Sequence, residues 1–420
     1  MRQTVIFDRR SYLQELISAD GNGMIKIITG IRRCGKSFLL FNIFKHYLQE
    51  QGIADNHIIQ LNMEDRRNKQ LRDPDNLLEY IDKQIVDDMK YYILLDEIQL
   101  VPEFEDVLNS YLHIDNAEVY VTGSNAKFLS KDIITEFRGR GWEIRVFPLC
   151  FSEYYEAVGG DKSSALETFY LYGGLPGVYQ CATQTEKQNY LREVYETVYI
   201  RDVIERNHLQ HVEGMKELVR ILASCIGSSM NVRRISNTFK TEGKVDINPH
   251  TITSYLELLQ DSFIIGEALR YNVKGRKYIG TETKYYFEDI GIRNAILDFR
   301  QTEHTHIMEN VVYNELRRLG YSVDVGLVEV IKRNAEGKLE RKKLEVDFVV
   351  NRHDQRVYIQ SAYSLPDQGK VDQEQASLLN IPDNFKKVII VGDRHHSNYN
   401  DDGVLVMGIY DFLFHTDRFN

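Results

Sequence analysis

Residues 24–40 read MIKIITGIRRCGKSFLL. The apolar run Met24 to Thr29 predicts a buried strand, and an apolar helical pattern begins near Ser37. Between them, Gly30-Ile31-Arg32-Arg33-Cys34-Gly35-Lys36-Ser37 fits the spacing G-x-x-x-x-G-K-[S/T]. A glycine-bearing loop between strand and helix lets backbone N–H groups close around phosphate, and the helix start adds positive potential. Residues Gly30, Ile31, Arg32, Arg33, Cys34, Gly35, Lys36, Ser37 and Phe38 are therefore expected to cradle ATP, with Lys36 on the β- and γ-phosphates and Ser37 on Mg²⁺.

Downstream, YYILLDEIQ at 91–99 has the pattern of a buried strand ending in Asp96 and Glu97. Phosphoryl transfer to water needs one carboxylate on the metal and one to orient or deprotonate the water; Asp96 and Glu97 fit those roles in that order. Acids also end strands simply because strands end at the surface, but the phosphate loop upstream favours the catalytic reading. EVYVTGSNA at 118–126 predicts another strand, ending in Ser124 and Asn125. Either residue is placed to sense the γ-phosphate, or alternatively to cap the next helix.

The chain has 420 residues, enough for about two to four domains. With 43% hydrophobic and 27% charged residues and no apolar run of membrane-spanning length, it reads as soluble. The start carries no secretory pattern, and Cys34, Cys150, Cys181 and Cys225 are scattered with no zinc spacing, so a reducing cytoplasm is expected. A formal charge of −10 excludes a surface that is basic throughout, leaving room for a local basic patch.

The order GIRRCGKS, LLDEIQ, VTGSNA, FRGR, FPLCFSEYY and YGGLPGVY, continued by YIRDVIER, KYYFEDIGIRNAIL and EVDFVV…YIQSAY, spans nearly the whole chain. It resembles the prokaryotic AAA+ ATPase-type proteins whose C-terminal half is a domain of unknown function. The resemblance implies an α/β protein with an AAA+ P-loop core, a winged-helix middle segment and a restriction-endonuclease-like C-terminal domain. The corresponding expectation is an ATPase core at 1–151, a helical lid or linker at 152–215, a winged helix at 216–300 and a nuclease-like domain at 301–420. AAA+ proteins direct an arginine finger at a neighbour's ATP from before the fifth strand; Arg138 and Arg140 stand there, either as fingers in a homo-oligomer or as solvated surface residues.

In the middle segment, helical patterns at 215–227, 232–243 and 248–262 precede the strand-like FIIGEALRYN and KYYFED, the make-up of a winged helix. Its wing carries Arg270, Lys274, Arg276, Lys277 and Lys284 against Glu282, an excess suited to DNA phosphates, although winged helices also bind proteins. The tail, LEVDFVVNRHDQRVYIQSAYSL at 344–365, follows a helix bearing Glu309 and Glu315. An active nuclease of this class needs an acid on each of two strands and a lysine two positions after the second. Asp347 supplies the first acid, Gln360 replaces the second, and Ala362 stands at the lysine position; Lys370 is the only near substitute. The tail is thus expected to be an inactive shell in which Asp347 holds metal weakly. Two functions follow: an ATPase that switches or drives a partner- or DNA-binding module, or an ATP-gated DNA-binding protein or nuclease.

Overall fold

A computed structural model describes residues 5–123, 139–209, 211–242, 247–301, 303–333, 339–393 and 396–415. The chain divides into two compact units: Met1–Leu149 with Leu175–Gln180 and Asp261–Phe263, and Cys150–Gly174 with Cys181–Gln260 and Ile264–Asn420.

In the first unit, β1 (Ile25–Thr29), β2 (Ile58–Asn62), β3 (Tyr91–Asp96), β4 (Ala117–Thr122) and β5 (Gly141–Arg145) form a parallel sheet in the order β2-β3-β4-β1-β5. Every residue of β1 and β3 is buried, as a parallel sheet covered on both faces requires. Ile27, Ile93, Leu95 and Val121 pack with Leu77 and Ile81 of the helix Pro74–Asp82 and with Val107 and Leu108 of the helix Phe104–Tyr111. The alternate side chains Tyr92 and Tyr120 meet Phe44, with ring centroids 6.3 and 4.6 Å away. Phe44 belongs to the helix that follows the phosphate loop, in which a π-helical stretch Leu39–Phe44 separates α-helical Lys36–Phe38 and Lys45–Glu50. Such inserted π turns recur beside functional sites.

In the second unit, three helices, Val212–Ser224, Val232–Glu242 and Pro249–Asp261, precede the hairpin of β6 (Ile265–Asn272) and β7 (Lys277–Phe287). The helix His304–Arg318 then leads into β8 (Ser322–Arg333), β9 (Leu339–Arg352) and β10 (Gln355–Ala362). The helix Gln368–Leu379, β11 (Lys386–Val391), β12 (Asn398–Tyr399) and β13 (Leu405–Gly408) complete the unit with the helix Ile409–Phe414. All eight strands form one mixed sheet, β12-β13-β11-β10-β9-β8-β6-β7. Because β6 pairs parallel to β8, hairpin and tail are one sheet, continuous across residue 300.

Two sequence signatures meet within this unit. Gly174 N–H donates to Asp289 Oδ2 at 2.6 Å, and Asn294 Nδ2 donates to the carbonyl of Tyr170 at 2.8 Å. At Gly173, with φ +71°, a Cβ would stand 2.5 Å from the Asp289 carboxylate, so only glycine serves there. The helices Phe151–Val158, Lys162–Tyr172 and Gln184–Glu193 lie in this second unit, whereas Leu175–Gln180 belongs to the first.

Candidate nucleotide site

The loop after β1 takes its shape from two glycines. At Gly30, φ is +138° and a Cβ would sit 2.0 Å from the Val146 carbonyl oxygen; Gly35 has φ +104°, with Pro176 nearby. Ile31 and Cys34 are buried and Cys34 Sγ reaches the Val146 carbonyl at 3.4 Å, which anchors the loop. Arg33 faces solvent, Arg32 pairs with Glu64 at 3.4 Å, and Phe38 is exposed. Lys36 is buried, its Nζ donating to the carbonyls of Gly30 at 2.8 Å and Ile31 at 3.1 Å. The ammonium is thus held inside the curve of the loop.

Three polar side chains converge at the C-terminal ends of β3 and β4. Ser37 Oγ donates to Asp96 Oδ1 at 2.9 Å, and Thr122 Oγ1 donates to the same oxygen at 2.5 Å. Thr122 Oγ1 also accepts from the Glu97 N–H at 3.0 Å. Burial raises the Asp96 pKa, against hydrogen bonds from Thr122 and Ser37 that lower it. Glu97 is buried at a left-handed turn, φ 54° and ψ 46°, and Gln99 Nε2 bonds to its carboxylate. A buried carboxylate beside a hydroxyl is an oxygen pair suited to a hard cation, so Ser37 and Asp96 fit Mg²⁺.

Ser124, Asn125 and Arg138 lie outside the described residues. Arg140 is exposed, and its backbone carbonyl accepts from the Ile25 N–H at 2.9 Å. Thr122 is the contributor that motif reading missed. Its signal is strand order: β3 beside β4, with Leu95 opposite Val121, puts Thr122 next to Asp96. Thr122→Val keeps the shape and removes the hydroxyl from both bonds. Turnover is expected to fall about 10- to 100-fold, from the ~1–3 kcal/mol penalty of unsatisfied buried polar groups. Steady-state hydrolysis beside nucleotide titration checks this, and the dissociation constant should move only a few-fold.

The tail residues sort differently from the sequence pattern. Between the pairs Asp324↔Val349 and Gly326↔Val346, β8 advances two residues and β9 three, so β9 carries one extra residue around 347–348. The Asp347 carboxylate accepts from the Ser361 N–H at 2.8 Å and lies 3.9 Å from Lys284 Nζ. Gln360 Oε1 accepts from Ser377 Oγ at 3.3 Å and from the Asp347 N–H at 3.5 Å, and Ala362 sits in an apolar cluster with Tyr358 and Leu378. Lys370 pairs with Glu374 at 2.5 Å and Glu315 with Arg318, so neither joins Asp347. Lys284 and Glu309 do. The expected phosphate-facing wing is reduced accordingly: Lys284 is buried and Arg270 pairs with Glu282, leaving Lys274, Arg276 and Lys277 exposed. No group of three or more His, Cys, Asp or Glu among the described residues is arranged to hold a metal ion by itself.

A parallel five-stranded sheet, a phosphate loop after β1, between β4 and β5, and an acid pair at the end of β3 define a P-loop NTPase core. Residues 22–155 match the family model for an AAA domain, and residues 163–303 match a domain of unknown function (DUF8612). An uncharacterized protein of Haemophilus influenzae is 33% identical over 414 residues, 97% of this chain and 98% of its own length. The chain belongs to the same family as that protein and is of the AAA+ ATPase type. A second uncharacterized protein, from Methanocaldococcus jannaschii, is 28% identical over 82% of this chain and 76% of its own. Among solved structures, Cdc6p from Pyrobaculum aerophilum covers 72% of this chain and 96% of that one at 12% identity, with a TM-score of 0.31, too low to carry further argument. No helix among the described residues is long and apolar enough to cross a membrane.

Proposed function

We propose that the chain binds ATP with Mg²⁺ in the 30–38 cradle, hydrolyses it, and uses hydrolysis to switch what the second unit holds. The observation that carries this is the single network joining Ser37, Asp96, Thr122 and the Glu97 backbone. Mg²⁺, when bound, would neutralise phosphate charge beside Ser37 and Asp96. Lys36 offers its ammonium to the phosphates in exchange for loop carbonyls, and Glu97 orients and accepts a proton from the attacking water. Thr122 keeps the Asp96 carboxylate and the Glu97 backbone in register.

Arg140, with Arg138 before it, is read as a finger reaching a second copy's nucleotide, which makes the working form a homo-oligomer. Specific ATPase activity should then rise with protein concentration. Mixing inactive Lys36→Ala and Arg140→Ala subunits should restore part of it, since each supplies what the other lacks. Concentration-independent turnover, with no rescue on mixing, removes the finger.

For the switched module, three helices followed by the β6–β7 hairpin support a winged helix, and helix His304–Arg318 followed by β8, β9 and β10 supports a restriction-endonuclease-like core. Exposed Arg341, Lys342 and Lys343 on β9 add to Lys274, Arg276 and Lys277. The two groups adjoin: Lys274 Nζ bonds to the Glu329 carbonyl at 2.8 Å, and Glu329 stands opposite Lys343. This basic edge favours nucleic acid as the partner over an unknown protein, by phosphate neutralisation. The nuclease-like core serves binding or assembly and does not cleave, and the protein works in the cytoplasm.

A further inference from the structure

The acid cluster of the second unit has a lysine at its centre. Lys284 Nζ lies 2.9 Å from Glu345 Oε1, 3.0 Å from Glu309 Oε1 and 3.9 Å from Asp347 Oδ1, with its side chain 3% exposed. The carboxylates are fixed from behind. Tyr286 donates to Glu309 Oε1 at 2.7 Å, the Ser361 N–H to Asp347 Oδ2 at 2.8 Å, and Ser229 Oγ to Glu345 Oε2 at 3.4 Å. The loop between the helices Val212–Ser224 and Val232–Glu242 lies over the cluster. At Gly227, with φ +70°, a Cβ would stand 2.8 Å from His306 Nδ1 and 2.9 Å from Glu309 Oε2. Met230 and Thr283 exchange backbone hydrogen bonds of 2.9 and 2.8 Å, fastening that loop to β7 beside Lys284.

We propose that this cluster is a divalent-cation site closed by the chain's own ammonium, Lys284 standing where a metal ion would neutralise Glu309, Glu345 and Asp347. Carboxylates from a helix and a strand, Glu309 and Asp347 buried and Glu345 half-buried, converge on one point and repel one another unless a cation stands between them. Lys284 is that cation, tethered through β7 and so present at all times, with three N–H donors for three carboxylates. Its separations of 2.9 Å from Glu345 and 3.0 Å from Glu309 are hydrogen-bond distances, and Asp347, at 3.9 Å, is reached by charge alone; Mg²⁺ would draw the oxygens to about 2.1 Å. The ammonium itself is held firmly: burial opposes its charge, but the charge of Glu309, with those of Glu345 and of Asp347 when ionised, outweighs burial and raises its pKa. The inference explains how the strand pair can keep Asp347 while Ala362 and Gln360 serve packing. It rests on the reading of the tail as a nuclease-like shell.

The test is Mn²⁺ titration by electron paramagnetic resonance, without nucleotide, on full-length protein. Wild type should show no Mn²⁺ uptake that depends on Asp347. Lys284→Met, which keeps most of the side-chain volume and loses the charge, should gain one Mn²⁺, and Lys284→Met with Asp347→Asn should lose it. Wild-type uptake abolished by Asp347→Asn overturns the inference, as does a folded Lys284→Met that takes up none. Where Lys284→Met fails to fold, Lys284→Gln, which loses the charge and keeps hydrogen-bond donors, takes its place with the same expected gain of one Mn²⁺. Supercoiled plasmid in the same Mn²⁺ buffer separates the inference from the reading beneath it. Nicking by wild type that Asp347→Asn abolishes overturns both, whereas uptake without nicking overturns only the closure by Lys284.

Discussion

Lys36→Ala should abolish measurable nucleotide binding, whereas Glu97→Gln should keep nucleotide bound and stop its hydrolysis. Lys36 Nζ is buried against the Gly30 and Ile31 carbonyls, so its charge is already positioned in the cradle. Charge-assisted hydrogen bonds contribute about 1.5–3 kcal/mol each, and losing two of them weakens binding by roughly 100-fold or more. Glu97 sits at a left-handed turn whose N–H is held by Thr122. A glutamine fits the same turn and leaves that bond intact, so the variant changes the chemistry of one side chain with little else. Loss of a general base typically lowers turnover about 10²–10⁴-fold. An interaction needed only by the attacking water should lower kcat and leave the dissociation constant within a few-fold. Nucleotide titration alongside steady-state hydrolysis separates the two variants, and undiminished turnover in Glu97→Gln removes this glutamate from the mechanism.

The contrast between those residues and Thr122 or Lys284 shows what a sequence makes legible. The strand, loop and helix around residues 24–40 are consecutive, and the spacing of Gly30, Gly35, Lys36 and Ser37 follows from local backbone geometry. Asp96 and Glu97 end an uninterrupted apolar strand, so local pattern finds them too. Thr122 acquires its role only because β4 lies between β3 and β1. Lys284 reaches Asp347 by the burial of its side chain, although β8 and β6 stand between β9 and β7 in the sheet, from a position that composition alone assigns to a basic wing. The surroundings of Asp347 are hidden for a further local reason: strand alternation assumes two-residue periodicity, and the extra residue in β9 breaks it beside Asp347. Gln360 and Ala362, read in the sequence as replacements for an acid and a lysine, lie against Ser377 and Leu378.

Glu309→Gln and Asp347→Asn, two neutralisations in one cluster, should change stability in opposite directions at alkaline pH. For Glu309, burial raises the pKa, but the Lys284 charge, His306 at 3.8 Å and the hydrogen bond from Tyr286 outweigh it, so the pKa ends below the ordinary glutamate value. Its folded pKa is depressed, so its contribution is present above the unfolded pKa and lost as pH falls through the folded one. Removing that charge leaves Lys284 short of its closest buried partner, at a cost of about 3–5 kcal/mol, the usual penalty for breaking a buried pair. For Asp347, burial and the Glu309 charge raise the pKa from 3.8 to about 8. A raised carboxyl destabilises the fold progressively as pH climbs from about 4 through 8, and by a constant amount above that. Asparagine avoids that penalty and can still accept from the Ser361 N–H. Asp347→Asn should therefore stabilise the chain, and more at pH 9 than at pH 5, because the penalty it removes is still growing between those values. Urea unfolding at both pH values is the measurement. Trp142, the single tryptophan, lies on β5 of the first unit, so its fluorescence follows that unit, and the part of the circular dichroism transition it does not follow reports the second. Destabilisation by Asp347→Asn at pH 9 comparable to that of Glu309→Gln would mean that both carboxylates share the lysine equally and that folding does not raise the Asp347 pKa.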